Sequence, residues 1–333
     1  MLLIQDTLAR LQRGEALTFR NLAVFPLLGE DGRTADYFTL DEALAQKVAR
    51  ITEVNAGGSV PELRFVNECD LQVLLMDGEE LIGAKQNRTL NITILAPAHS
   101  TLLLPVTCVE QGRWASTSAE FASAPHAHYA SGRVHKYRSV SASLRESGSH
   151  HADQGEVWAD IRAKASRMAA PSPTHAMDAL YERHETGVHE FQAALPAQVG
   201  QRGAVFAIDG KIIGVDLFDC PSTLRKLWPK IVSSYALDAL DTASPDAACP
   251  VSPQSVDAFL KALARADAET FAAVGVGEDV RLTATGLTGG ALVAEGRVVH
   301  LSAFAAGRPA EEEPLYSALS RASTRRFYWQ RPR

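Results

Sequence analysis

Residues 62–109 read ELRFVNECDLQVLLMDGEELIGAKQNRTLNITILAPAHSTLLLPVTCV, and the fold class turns on them. Five short apolar segments follow one another here, at 63–66, 71–76, 80–83, 91–95 and 101–109. Each has the length of a strand and ends in turn-forming residues, the rhythm of a sandwich or half-barrel. Asp77-Gly78 carries a two-residue hairpin signal, because a type I′ turn needs positive φ at both centres. Pro97 marks a looser turn, across which 91–95 is expected to pair with 101–109.

Outward from this block, 17–28 reads as a further strand closed by a turn at 29–33. Thr39 and Glu42 have capping-box spacing, and Leu40, Leu44, Val48 and Ile51 continue at helical period, which predicts a helix to about Val54. Residues 116–153 are rich in serine and histidine with little periodicity, and are expected to form a long loop covering a site. Helices follow. Asp153 and Glu156 read as a cap with Val157, Ile161, Ala165 and Met168 on one face, and a second helix is expected over 174–195. Asp209-Gly210 between two apolar runs predicts a hairpin. Ser222 opens a helix towards Leu240 that Pro229 kinks or splits, a linker covers 241–253, and a helix over 255–266 precedes three strands. The expectation is one α+β domain over 1–305. It has an antiparallel strand-rich first part (17–115), the loop, and a helix-plus-hairpin second part (154–305), with a charged tail at 306–333.

Composition narrows the function classes. A 46% hydrophobic share provides for a core, and 33 basic against 39 acidic residues argue against a general nucleic-acid binder. A local basic pocket for an anionic metabolite stays open. Cys69, Cys108, Cys220 and Cys249 are far apart and form neither a disulfide framework nor a compact zinc spacing. The first 13 residues lack the apolar stretch of a signal peptide, and no apolar run approaches bilayer length. A reduced cytoplasmic protein without a membrane partner is expected, with homo-oligomerisation left open.

The chemistry-bearing residues gather in two places. Glu79, Glu80, Lys85, Gln86, Asn87, Arg88 and Asn91 form a polar run around Gly83, where a strand face would ordinarily alternate. Amide and guanidinium groups so dense suit carboxylate, phosphate or sugar hydroxyls, or else a solvated turn. Glu110, Gln111, Gly112, Arg113 and Trp114 end the last strand of the block. Trp114 is fit to stack on a base or sugar, Arg113 to hold phosphate and Glu110 to move a proton. A salt bridge beside a core tryptophan is the plainer alternative. Phosphate-loop, dinucleotide-binding and nucleophile-elbow motifs are all missing from the sequence. His126 and His128 would share a strand face, with His135 nearby, but no ligand spacing converges, so no metal ligand and no cofactor is assigned.

The segments 80–88 and 105–114 together resemble the signature of the ARG-and-rhodanese/phosphatase-superfamily-associated protein family, ARG standing for ADP-ribosylglycohydrolase. The hairpin ending in Gly214-Val215-Asp216-Leu217-Phe218 is similar to a later element of that family. The likeness covers about 17–304, and it implies a link to ADP-ribose or NAD metabolism without fixing a reaction. The resulting expectation is an enzyme that hydrolyses or transfers an ADP-ribose-like, phosphate-bearing metabolite. In it Arg88 and Arg113 bind phosphate, Trp114 stacks, Gln86 and Asn87 orient ribose, Glu110 transfers protons, and Asp216 is a second acid. The alternatives are a non-catalytic sensor of the same ligand and a scaffold whose motifs merely brace the sheet.

Overall fold

A computed structural model describes residues 1–29, 34–242 and 251–305. The linker between the last two segments and the charged tail thus lie largely outside the described residues. The architecture is α+β and built on antiparallel sheets. A six-stranded half-barrel runs in the order Phe121–Ala127, Glu79–Gly83, Arg88–Leu90, Ser100–Cys108, Glu62–Asn67, Ala49–Glu53. A nine-stranded sheet is laid around Leu22–Leu28, Gln201–Ile208, Lys211–Phe218 and the closing strands up to Arg297–Ala305. A small sheet joins Ile94–Ala96, Gln72–Leu75 and Tyr37–Thr39, the last pair parallel.

The long helix Pro221–Thr242 lies between sheets and buries Leu224, Trp228, Ile231 and Tyr235. Its ring contacts include Tyr235 stacked on Phe206 at 3.8 Å between centroids. Leu22, Tyr37 and Met76 from the first part share this core with Phe206, Trp228 and Phe304 from the second. Pro229 sits within the helix without ending it.

The Asp209-Gly210 hairpin forms as its sequence requires, with φ of 49° and 73° and Ile208 opposite Lys211. The Thr39–Glu42 capping box and the Asp153 cap are also present. Asp77-Gly78, however, is not a hairpin turn. Gly78 alone has positive φ, and the flanking strands Gln72–Leu75 and Glu79–Gly83 enter different sheets. The pairing expected across Pro97 is replaced in the same way: Arg88–Leu90 takes Val106 to Cys108 as partner, while Ile94–Ala96 crosses to Gln72–Leu75.

Three further expectations are corrected. The helix expected to run to about Val54 stops at Ala45, and Lys47 at φ 57° turns the chain into the strand Ala49–Glu53, where Ile51 is buried as a strand residue. The helix over 174–195 is two helices, Asp178–Arg183 and Glu185–Ala194, separated at His184. The expected loop at 116–153 contains the strand Phe121–Ala127 and the 18-residue helix Ala130–Ser147. That helix buries Arg133, Lys136, Tyr137, Val140 and Leu144, a helical spacing whose charged members conceal it from an apolar-periodicity reading.

Candidate functional site

The turn at 84–87 joins two paired strands of the half-barrel, and around it the two polar motifs meet. Gly83 adopts φ 127°, and a Cβ there would lie 2.9 Å from the Glu120 carbonyl oxygen, so glycine is required. The Asn87 backbone N–H donates to Glu110 Oε2 at 3.1 Å. Arg113 Nε donates to the same oxygen at 2.8 Å, and Arg113 Nη2 donates to Asn87 Oδ1 at 2.9 Å. Arg113 Nη1 reaches the carbonyl oxygens of Ala84 at 2.6 Å and Ala115 at 3.1 Å. The guanidinium is therefore committed within the protein, as a brace between the motifs. Burial works against ionisation of Glu110, but the bonds from Arg113 and Asn87 outweigh it and hold the carboxyl below its ordinary range.

Strand register then divides the other candidates between two faces. Leu81, Arg88 and Cys108 are cross-strand neighbours and share the inner face. Arg88 is wholly buried, and its Nη1 donates to the Gln86 carbonyl and side-chain oxygens at 3.2 and 3.1 Å. Its Nε and Nη2 have no hydrogen-bond partner among the described residues. Trp114, 48% exposed, covers the guanidinium with its ring centroid 5.7 Å away, and Lys85 Nζ lies 5.3 Å from the same ring. Glu53 Oε2, electrostatically coupled to Arg88, is likewise buried without a partner among the described residues. Cys108 donates to Gln86 Oε1 at 2.9 Å, and burial pushes its thiol up to about 11, which makes it inert near neutrality.

Glu80 pairs with Thr89 and so occupies the opposite face. Its Oε2 lies 2.8 Å from His126 Nε2, and its Oε1 accepts from Asn87 Nδ2 at 3.3 Å. The same His126 nitrogen lies 3.5 Å from Asp178 Oδ1. One donor atom from each of Glu80, His126 and Asp178 lies within 4.8 Å of the others. His126 occupies the irregular stretch of its strand between Ser123 and Ala127, where the register shifts, and is stacked on Tyr181 at 3.7 Å. The Tyr181 hydroxyl is anchored on the Ala127 carbonyl at 2.6 Å. Burial pushes Glu80 up to about 8, with Glu110 and Glu182 reinforcing the shift, and pushes His126 down to about 4. Burial together with Glu80 raises Asp178 to about 6. A depression of about 520 Å³ that includes Glu182 and Arg183 opens beside the Asp178 helix.

Asp216 lies elsewhere. It is sealed in the core, where it accepts from Arg133 at 2.7 Å, Ser302 at 2.6 Å and Tyr235 at 2.8 Å. Neither a surface hairpin position nor a place beside Glu110 describes it. The three histidines also part company: His128 is buried against Tyr129, and His135 contacts Glu156 at 3.1 Å. Sequence reading singled out Glu80 without giving it a role and joined His126 to the wrong partners. Asp178 passed unnoticed. The available signals were the consecutive acids Glu79-Glu80 in an apolar strand and a histidine placed directly after Pro125.

Among the described residues no helix is long and apolar enough to cross a membrane. No curated protein and no solved structure matches the chain. A family description does match, over residues 10–304, and it takes in the whole of the site just built. The chain belongs to the ARG and Rhodanese-Phosphatase-superfamily-associated Protein domain family.

Proposed function

We propose that the protein is an enzyme acting on an ADP-ribose-like nucleotide sugar by hydrolysis or transfer. The observation that carries this reading is Arg88, whose Nε and Nη2 are buried without a hydrogen-bond partner among the described residues, beneath an exposed indole. Unsatisfied buried donors are costly, at about 1–3 kcal/mol each, and a ligand that fills them recovers that cost. The bare Glu53 oxygen beside them needs a donor instead. A ribose phosphate presents both kinds of group, oxygens for Arg88 and hydroxyls for Glu53, while its base or sugar face suits Trp114. Acid–base work then falls to Glu80, His126 and Asp178 on the other face, with Glu110 electrostatically coupled to both groups. That separation favours an extended, diphosphate-linked molecule over a compact sugar.

A sensor without turnover is the second reading, favoured by the committed state of Glu110 and Arg113. Calorimetric binding and chromatographic turnover of ADP-ribose test both, using wild type, Arg88→Lys and Trp114→Ala. The enzyme reading expects product formation, with binding weakened about ten- to a hundredfold in each variant. Binding without product selects the sensor. Wild type that binds neither ADP-ribose nor ribose 5-phosphate removes this ligand class.

A further inference from the structure

The geometry points to a divalent transition-metal site formed by Glu80, His126 and Asp178, which deepens the proposed function by assigning its second face to an ion that these side chains would hold, in place of acid–base work by the side chains themselves. Two carboxylates and one imidazole supply the mixed oxygen–nitrogen donor set that suits Mn²⁺, Fe²⁺ or Zn²⁺ better than Mg²⁺ or Ca²⁺. Bonds of about 2.1 Å place neighbouring donors roughly 3.0–3.4 Å apart around a tetrahedral or octahedral ion. The measured separations from His126 Nε2, 2.8 Å to Glu80 and 3.5 Å to Asp178, bracket that spacing. The donor atoms of all three residues lie within 4.8 Å of one another, so closing them onto one ion takes side-chain adjustment alone.

The surroundings resemble a metal shell as well. Two of the three donors are aimed by a second group: Asn87 Nδ2 holds the far oxygen of Glu80, and Tyr181 fixes the plane of the imidazole. Asp178 is presented at the start of its helix, whose preceding residue Met177 is tied by its N–H to the Val109 carbonyl at 2.8 Å. Glu110 and Glu182 add negative potential from just outside the trio. The Asp178 side chain keeps 24% of its surface exposed, against 0% for Glu80 and 4% for His126. An ion held by three protein donors would therefore face solvent on the Asp178 side, where a catalytic ion keeps an open position.

The test begins with full-length protein stripped by a chelator and checked for an unchanged circular dichroism spectrum. Calorimetric titration with MnCl₂ and separately with ZnCl₂ follows, for wild type, His126→Ala and Asp178→Asn, with MgCl₂ as a control. The site predicts one equivalent of transition ion in the wild type and at least about tenfold weaker binding in each variant. Asp178→Asn is the safeguard against misfolding, since it alters a partly exposed group. Wild type that takes up neither ion, or variants that bind as wild type does, overturns the site and leaves a hydrogen-bonded acid–base cluster. Because uptake is measured without substrate, the two readings fail separately. An ion bound without ADP-ribose turnover keeps the site and removes the substrate. Turnover by protein that binds no ion does the reverse.

Discussion

A single guanidinium can read as a ligand hook or as a keystone, and Arg113 shows which contacts decide. It touches Glu110, Asn87 and the carbonyls of Ala84 and Ala115, so an ammonium in its place reproduces the charge but not the planar fork. Arg113→Lys is expected to cost about 1.5–3 kcal/mol and to lower the melting temperature by several degrees. ADP-ribose affinity, measured by calorimetry below that temperature, should change less than threefold. A binding loss beyond tenfold with unchanged melting would restore Arg113 as a ligand contact. The meeting of 86–88 with 110–114 was legible because both motifs lie at ends of adjacent strands. The trio at His126 was not, because no local pattern joins a strand glutamate, a bulge histidine and a helix aspartate.

For whole elements, legibility depended on whether the pattern carried the usual chemistry. Two Asp-Gly pairs illustrate the point. Asp209-Gly210 turns a hairpin with its aspartate bonded locally, to Asn21 Nδ2 at 3.4 Å beside the turn, whereas Asp77 is drawn inward by Arg133 at 3.2 Å. The helix Ala130–Ser147 escaped notice because its buried stripe contains an arginine and a lysine, and burial pushes Lys136 down to about 7. Gly132 in that helix offers a sharp check. Alanine ordinarily stabilises a helix interior over glycine by about 1 kcal/mol. Here an added Cβ would sit 2.3 Å from His128 Nε2 and 2.8 Å from the Tyr129 ring. Gly132→Ala is therefore expected to destabilise by about 1–3 kcal/mol in urea unfolding, and a gain in stability would show that His128 gives way freely.

Across the molecule, one buried network fastens helix, half-barrel side and large sheet together. Arg133 joins Asp77 to Asp216, and Ser302 and Tyr235 complete the shell around Asp216. Burial opposes ionisation of Asp77 and Asp216, yet Arg133 with His300 holds both carboxyls below the ordinary range. At these two carboxyls the unfolded chain thus binds more protons in acid than the folded one. Their contribution is fully present above about pH 4 and declines as pH falls through the depressed folded values. Asp216→Asn should cost about 3–5 kcal/mol at pH 7 and flatten the acid-side loss. Urea midpoints between pH 7 and pH 3 measure this, and an unflattened slope would assign the acid sensitivity to other groups.

The large sheet has a consequence in time. Its strand Leu22–Leu28 takes Gln201–Ile208 as a direct partner. At typical synthesis rates of about 5–20 residues per second, some 10–40 s separate the appearance of these two strands. Throughout that interval the early strand, with Leu22, Val24 and Leu27 destined for complete burial, has no mate for this ladder edge. Such long-range pairing is slow to form and exposed to aggregation before it closes. A nascent chain of this architecture therefore depends on whatever shelters Leu22–Leu28 until its partner is made.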